Sequence, residues 1–266
     1  MNTTHLTFAD GALVLEIADG LATLTLSRPQ QRNAISLAMW QALPDLLKTL
    51  DARQDASVLV LCGAGPDFAA GADIAEFDTV FADRAATLRY AQTMGDATAA
   101  LAQYPKPSIA MITGHCIGAG VALALACDMR CAATDARLGV TPARLGLLYP
   151  LADTLRLART VGRAKASDLL FSGRLFGAPE ALAMRLVDEL HAPAELSTAV
   201  FAKAALIAAQ SQWSVQHAKA VLALIDAGNG SDTSTDTDTT RAWFADAVEG
   251  EDYRRGLQAF RERAGR

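Results

Sequence analysis

Apolar and polar residues alternate in two short runs near the start of the chain, Leu13 to Ile17 and Leu21 to Leu26, on either side of Asp19-Gly20. Alternation with a period of two marks half-buried strands, and Asp-Gly supplies the positive-φ residues that a type I′ hairpin turn needs. The period then lengthens. Leu37, Trp40, Leu43, Leu47 and Leu50 share one face of a predicted helix that Ser36 can cap, and Pro44 inside it predicts a kink. Val58 to Cys62 is a continuous apolar run of strand length, and Ala85 to Leu101 follows as a helix. After the Tyr104-Pro105-Lys106-Pro107 break come a strand, Ser108 to Ile112, and an apolar helix, Val121 to Ala126. Met129 to Ala132 and Leu138 to Val140 are further strand candidates, and beyond Asp153 the pattern is helical. Repeated β-then-α units predict an α/β fold with a mostly parallel sheet covered by helices.

Two small-residue turns punctuate this alternation: Phe68-Ala69-Ala70-Gly71-Ala72-Asp73-Ile74 and Gly114-His115-Cys116-Ile117-Gly118-Ala119-Gly120. Each follows a strand and leads into a helix, so each bares backbone N–H groups that another group can approach closely. Brought together, the two turns would grip one ligand oxygen from two sides, which is the geometry of an oxyanion hole. Close packing of helix on strand asks for the same small residues, and spacing alone leaves both readings open. His115 is either a ligand contact or a half-buried polar residue with a backbone partner, and Asp73 reads as a helix cap.

The tail differs in character. Gly228 to Thr240 is a polar Asp/Thr/Ser/Gly stretch that reads as a mobile loop, followed by helices over Arg241 to Val248 and Glu251 to Arg263. Their Trp243, Phe244, Leu257 and Phe260 need a partner surface. This divides the chain into a core over residues 1–200 and a C-terminal helical region over 201–266, with the polar loop at 228–240.

The 51% hydrophobic content fits a globular protein, and a net charge of −5 without any basic stripe argues against a nucleic-acid partner. Cys62, Cys116, Cys127 and Cys131 lack Cys-x-x-Cys spacing and read as buried thiols in a reducing compartment, so neither bridges nor a metal site are expected. No signal-peptide pattern opens the chain, and Asp128 and Arg130 interrupt the longest apolar run. A cytoplasmic protein without a membrane span is the expectation. G-x-x-x-x-G-K-[ST], G-x-S-x-G and H-E-x-x-H are all absent.

F-A-A-G-A-D-I and the Gly-rich turn ending in Cys127-Asp128 resemble the enoyl-CoA hydratase/isomerase (crotonase) family. So do Arg28-Pro29 with Asn33-Ala34, Leu138-Gly139 with Leu145-Gly146, Thr160-Val161-Gly162, Ser172-Gly173, Ala178-Glu180-Ala181 and the closing run from Asp252 to Phe260. These motifs run in order from about Leu13 to Arg263. The resemblance implies a ClpP/crotonase-like spiral of ββα units, a C-terminal helical trimerisation region, and a homotrimer or homohexamer. It also implies an acyl-CoA thioester as ligand, with coenzyme A entering as part of the substrate and no tightly bound cofactor. The backbone N–H groups of Ala72 and Ala119 would form the oxyanion hole, the second position being normally Gly. Around them the resemblance implies substrate and coenzyme A contacts from Arg28, Arg32, Ala34, Ala70, Asp73, Ile74, Gly118, Phe260 and Arg263.

The chain departs from the hydratase pattern at two places. The family's two glutamates would stand at Ala122 and Pro142, and neither Ala nor Pro can move a proton, so efficient hydration is not expected. Thr141-Pro142 with Leu145-Gly146 and Tyr149 resembles the methylmalonyl-CoA decarboxylase branch, which makes Tyr149 a candidate acid for an enolate left by departing CO₂. That branch carries His where this chain has Ala72. A buried structural tyrosine is the alternative for Tyr149, and Arg144 is a candidate anion contact. Decarboxylation of a malonyl-type thioester and a non-catalytic acyl-CoA-binding subunit stand beside the family's generic activity.

Overall fold

Asp19 and Gly20 take φ values of 52° and 81°, and the turn joins β2 (Leu13–Ala18) to β3 (Gly20–Leu26) as an antiparallel pair. This is a computed structural model, and it describes residues 3–226 and 238–264. An outer strand, β1 (Thr4–Phe8), pairs antiparallel with β2, half-burying Leu6 and Phe8. Ser36 caps α1 (Leu37–Asp51), its hydroxyl accepting from the Met39 N–H at 3.3 Å. Pro44 does not end α1, which continues through it on a face that buries Trp40, Leu43, Leu46, Leu47 and Leu50. Burial of that face outweighs the roughly 3 kcal/mol that an interior proline costs.

The βα alternation then runs β4 (Ala56–Gly63), α2 (Phe77–Val80), α3 (Arg84–Ala102), β5 (Ser108–Ile112), β6 (His115–Ile117), α4 (Ala119–Ala126), β7 (Met129–Ala133) and β8 (Arg137–Gly139). It continues with α5 (Leu151–Val161), α6 (Arg163–Ser172), β9 (Leu175–Gly177), α7 (Ala178–Ala183), β10 (Glu189–His191) and α8 (Pro193–Ala208). One sheet has the order β1-β2-β3-β4-β5-β7-β10, parallel from β3 onward, and β6, β8 and β9 form a second small sheet. The segment beyond Asp153 is therefore not purely helical. β9 and β10 are three-residue strands whose partners β8 and β7 lie far back in sequence, and no local pattern announces them. α8 packs on β3, β4, β5 and β7 and runs through residue 200.

The last helices are α9 (Gln212–Leu224), α10 (Asp238–Glu249) and α11 (Glu251–Ala264). His217 stacks on Trp213 at 3.8 Å and meets Trp243 edge-on at 5.0 Å, so Trp243 finds its partner on α9, while Phe244 and Phe260 stay exposed. Of the polar stretch, 228–237 lie outside the described residues, and Asp238 to Thr240 form the first turn of α10 instead of loop.

Candidate active site

The two small-residue turns are stitched together by main-chain bonds. The Phe68 and Ala69 N–H groups donate to the Thr113 and His115 carbonyls at 2.8 and 2.9 Å, and Ile117 N–H donates to Ala69 O at 2.9 Å. Approach this close requires the small residues: a Cβ on Gly120 would stand 2.6 Å from the Ala69 carbonyl oxygen. On the other side Ile35 N–H donates to Gly71 O and Asp73 N–H to Ile35 O, which fixes the peptide planes around Ala72. Neither the Ala72 nor the Ala119 N–H donates to an acceptor among the described residues. Ala119 opens α4, so its N–H is one of the amides a helix start leaves free, at the positive end of the helix dipole.

Ala72 and Ala119 both line a cavity of about 390 Å³. Trp40, Phe77, Phe81, Met94, Leu145 and Leu147 give it an apolar lining, and exposed Ile74 and Leu148 stand at its mouth. Ala122 and Pro142 face it too, so the positions implied for the family glutamates look into the cavity without an ionisable group.

Tyr149 is buried on the same wall, and its hydroxyl donates to the Gly118 carbonyl at 3.2 Å. Ala122 N–H donates to that carbonyl as well, at 3.1 Å. In a trans peptide the C=O and N–H point in opposite directions, so Tyr149 and Ala122 hold the back of the peptide whose front is the Ala119 N–H. Burial raises the Tyr149 phenol well above its ordinary value, keeping it a neutral donor.

One cavity group escaped the sequence reading. Asp153, in the first turn of α5, is 4% exposed and is the only carboxylate on the wall among the described residues. Its Oδ1 accepts from Arg156 Nη1 at 2.8 Å, and the Thr98 hydroxyl of α3 lies against it. Burial raises the Asp153 carboxyl above the ordinary aspartate value, with Arg156 and Thr98 pulling it back. The available signal was an acidic residue four positions after Tyr149; that it meets Thr98 is a tertiary fact.

The other predicted contacts divide. Ala70 and Gly118 line the cavity. Arg28 Nη1 meets Asp73 Oδ2 and donates to the Ala34 carbonyl, both at 2.7 Å, and Asp73 also caps the turn at Ile74 by accepting from Ala75 N–H at 3.1 Å. Arg32 is exposed, 4.0 Å from Asp67. His115 bonds Asp67 through Nδ1 at 2.7 Å and is not part of the cavity wall; neither is Arg144. Phe260 and Arg263 sit exposed on α11 and do not reach the wall within one chain. The cysteines are all free and buried. Apart from the cavity, Cys131, Glu189 and His191 gather across β7 and β10, where Glu189 is already paired with the Lys203 ammonium.

This architecture has well-populated counterparts. The family model described as enoyl-CoA hydratase/isomerase matches residues 16–265. The chain belongs to the enoyl-CoA hydratase/isomerase family. It is 40% identical over 184 residues, 69% of its length, to a Mycobacterium avium protein named probable enoyl-CoA hydratase echA17, covering 70% of that protein. An enoyl-CoA hydratase/carnithine racemase structure from Magnetospirillum magneticum superposes with a TM-score of 0.89 at 33% identity, covering 95% of this chain and 93% of that one. An enoyl-CoA hydratase from Bacillus anthracis gives 0.87 at 30%, covering 95% and 96%. The protein is thus an enzyme of the crotonase fold. No helix among the described residues is long and apolar enough to cross a membrane.

Proposed function

We propose that the protein binds an acyl-CoA thioester with its carbonyl oxygen on the Ala72 and Ala119 N–H groups and stabilises the enolate formed from it. The observation that carries this reading is a pair of amides without an acceptor among the described residues, on two residues that line one apolar cavity. Fixed donors favour the developing oxyanion over the neutral carbonyl, and one such donor contributes about 3–4 kcal/mol to the barrier. Ala122 and Pro142 leave water addition without the acid–base pair it needs. Decarboxylation of a malonyl-type thioester is the second reading, favoured by Tyr149 on the wall after Thr141-Pro142, although the Asp153 carboxylate disfavours a second anion there. Incubation with enoyl-, malonyl- and methylmalonyl-CoA, followed by mass spectrometry of the products, tests the reading; a protein that alters none of them and binds none contradicts it.

In this reading Tyr149 positions the Ala119 donor through the Gly118 carbonyl. Tyr149→Phe is expected to lower kcat about tenfold at unchanged KM and to cost about 0.5–1.5 kcal/mol of stability, the worth of one hydrogen bond. A loss of roughly 10²–10⁴ in kcat with no change in stability would instead make Tyr149 the acid.

Assembly into a trimer or hexamer is part of the same proposal. Leu148 and Leu151 are 93% and 84% exposed, and Phe171 on α6 is 81% exposed. Apolar surface of this extent is costly to leave in water. Light scattering is expected to return three or six chains; a stable monomer near 28.0 kDa contradicts it.

A further inference from the structure

The cavity wall leaves few groups able to take a proton. Among the described residues that line it there is no His, Cys, Lys, Arg or Glu, and its two phenols, Tyr90 and Tyr149, are neutral donors. Asp153 alone can act as a base. It is not a loose surface acid: Arg156 fixes Oδ1 at 2.8 Å, Thr98 lies against it, and the residue is 4% exposed. It lines the same cavity as Ala122 of α4.

We propose that Asp153 is the proton-transfer group of this cavity, removing a proton from the Cα of an acyl thioester whose carbonyl oxygen rests on the Ala72 and Ala119 amides. The inference rests on the thioester reading given above and names the residue that would make the enolate. In the step, the Cα–H bond breaks and an O–H bond forms on Asp153. The C–H electron pair moves into the thioester, leaving the negative charge on the carbonyl oxygen between the two amides. The reverse step returns a proton to carbon, so no water, oxidant or second substrate is consumed. Arg156 offsets the negative charge of Asp153 before the transfer and holds the carboxyl group in place after it. A purely structural Asp153 would serve only as an acidic residue in the first turn of α5, paired with Arg156 at i+3.

Butyryl-CoA in D₂O separates the two roles, because exchange at Cα reads enolate formation whatever reaction follows. The wild-type protein is expected to wash deuterium into Cα, detected by NMR. Asp153→Asn, close in shape and unable to act as a carboxylate base, is expected to slow exchange at least a hundredfold while acetyl-CoA affinity and Tm stay near wild type. If Asp153→Asn does not fold, Asp153→Ser is read in the same way. Exchange at the wild-type rate in a folded variant overturns the assignment and leaves the oxyanion-hole reading standing. A wild-type protein that binds the thioester without exchanging Cα overturns it too, whereas one that binds no thioester fails the underlying reading.

Discussion

Crotonyl-CoA is expected to be hydrated at least roughly 10²–10⁴-fold more slowly than by a two-glutamate family hydratase, the range that positioned acid–base groups contribute. Water must lose a proton as it attacks Cβ, and Cα must gain one. Both positions from which the family pattern would deliver a glutamate, Ala122 and Pro142, face the cavity and carry no ionisable group. Asp153 stands on the wall alone, and one carboxylate held by Arg156 can serve one of the two transfers but not both at once. The decay of the enoyl absorbance measures the rate. An ordinary hydratase rate would mean that groups outside this wall supply the missing pair.

The second large effect concerns a residue that touches no ligand. Gly120→Val places a side chain where a Cβ alone stands 2.6 Å from the Ala69 carbonyl oxygen, and Ala69 also makes two of the bonds that stitch the turns together. Backbone cannot yield there without moving the first turn away from α4. In the proposed site the Ala72 and Ala119 amides would then no longer converge on one oxygen, and the loss of one donor is expected to lower turnover by about 10²–10³. The measurement is kcat on the substrate found with the thioester panel, read beside far-ultraviolet circular dichroism to confirm that the sheet persists. Full activity in the folded variant would show that the spacing of the turns is not what the site requires.

Much of this arrangement is legible in the chain because its signals are local. Asp19-Gly20, the Ser36 cap, the runs at Val58 to Cys62 and Ser108 to Ile112, and the two Gly/Ala turns each carry their conformation in adjacent residues. Convergence of the turns follows once β4 and β5 pair in parallel and deliver both turns to the same end of the sheet. Features that depend on distant partners stay hidden. β9 and β10 exist because β8 and β7 are there to pair with them. That Arg28 Nη1 meets Asp73 and the Ala34 carbonyl is likewise set by the fold and not by its neighbours in sequence. Asp153 reads as an ordinary acidic residue opening a helix, and it becomes a cavity group because α3 brings Thr98 and α4 brings Ala122 to the same space.

The central claim is that a thioester carbonyl sits between the Ala72 and Ala119 amides, and isotope-edited infrared spectroscopy of bound acetyl-CoA, labelled with ¹³C at the thioester carbon, tests it most directly. Two fixed donors weaken the C=O bond more than water does, so the labelled carbonyl band is predicted to move to lower frequency on binding and to move back toward its buffer position in Gly120→Val. A band that stays at its position in buffer while acetyl-CoA is bound would contradict the account.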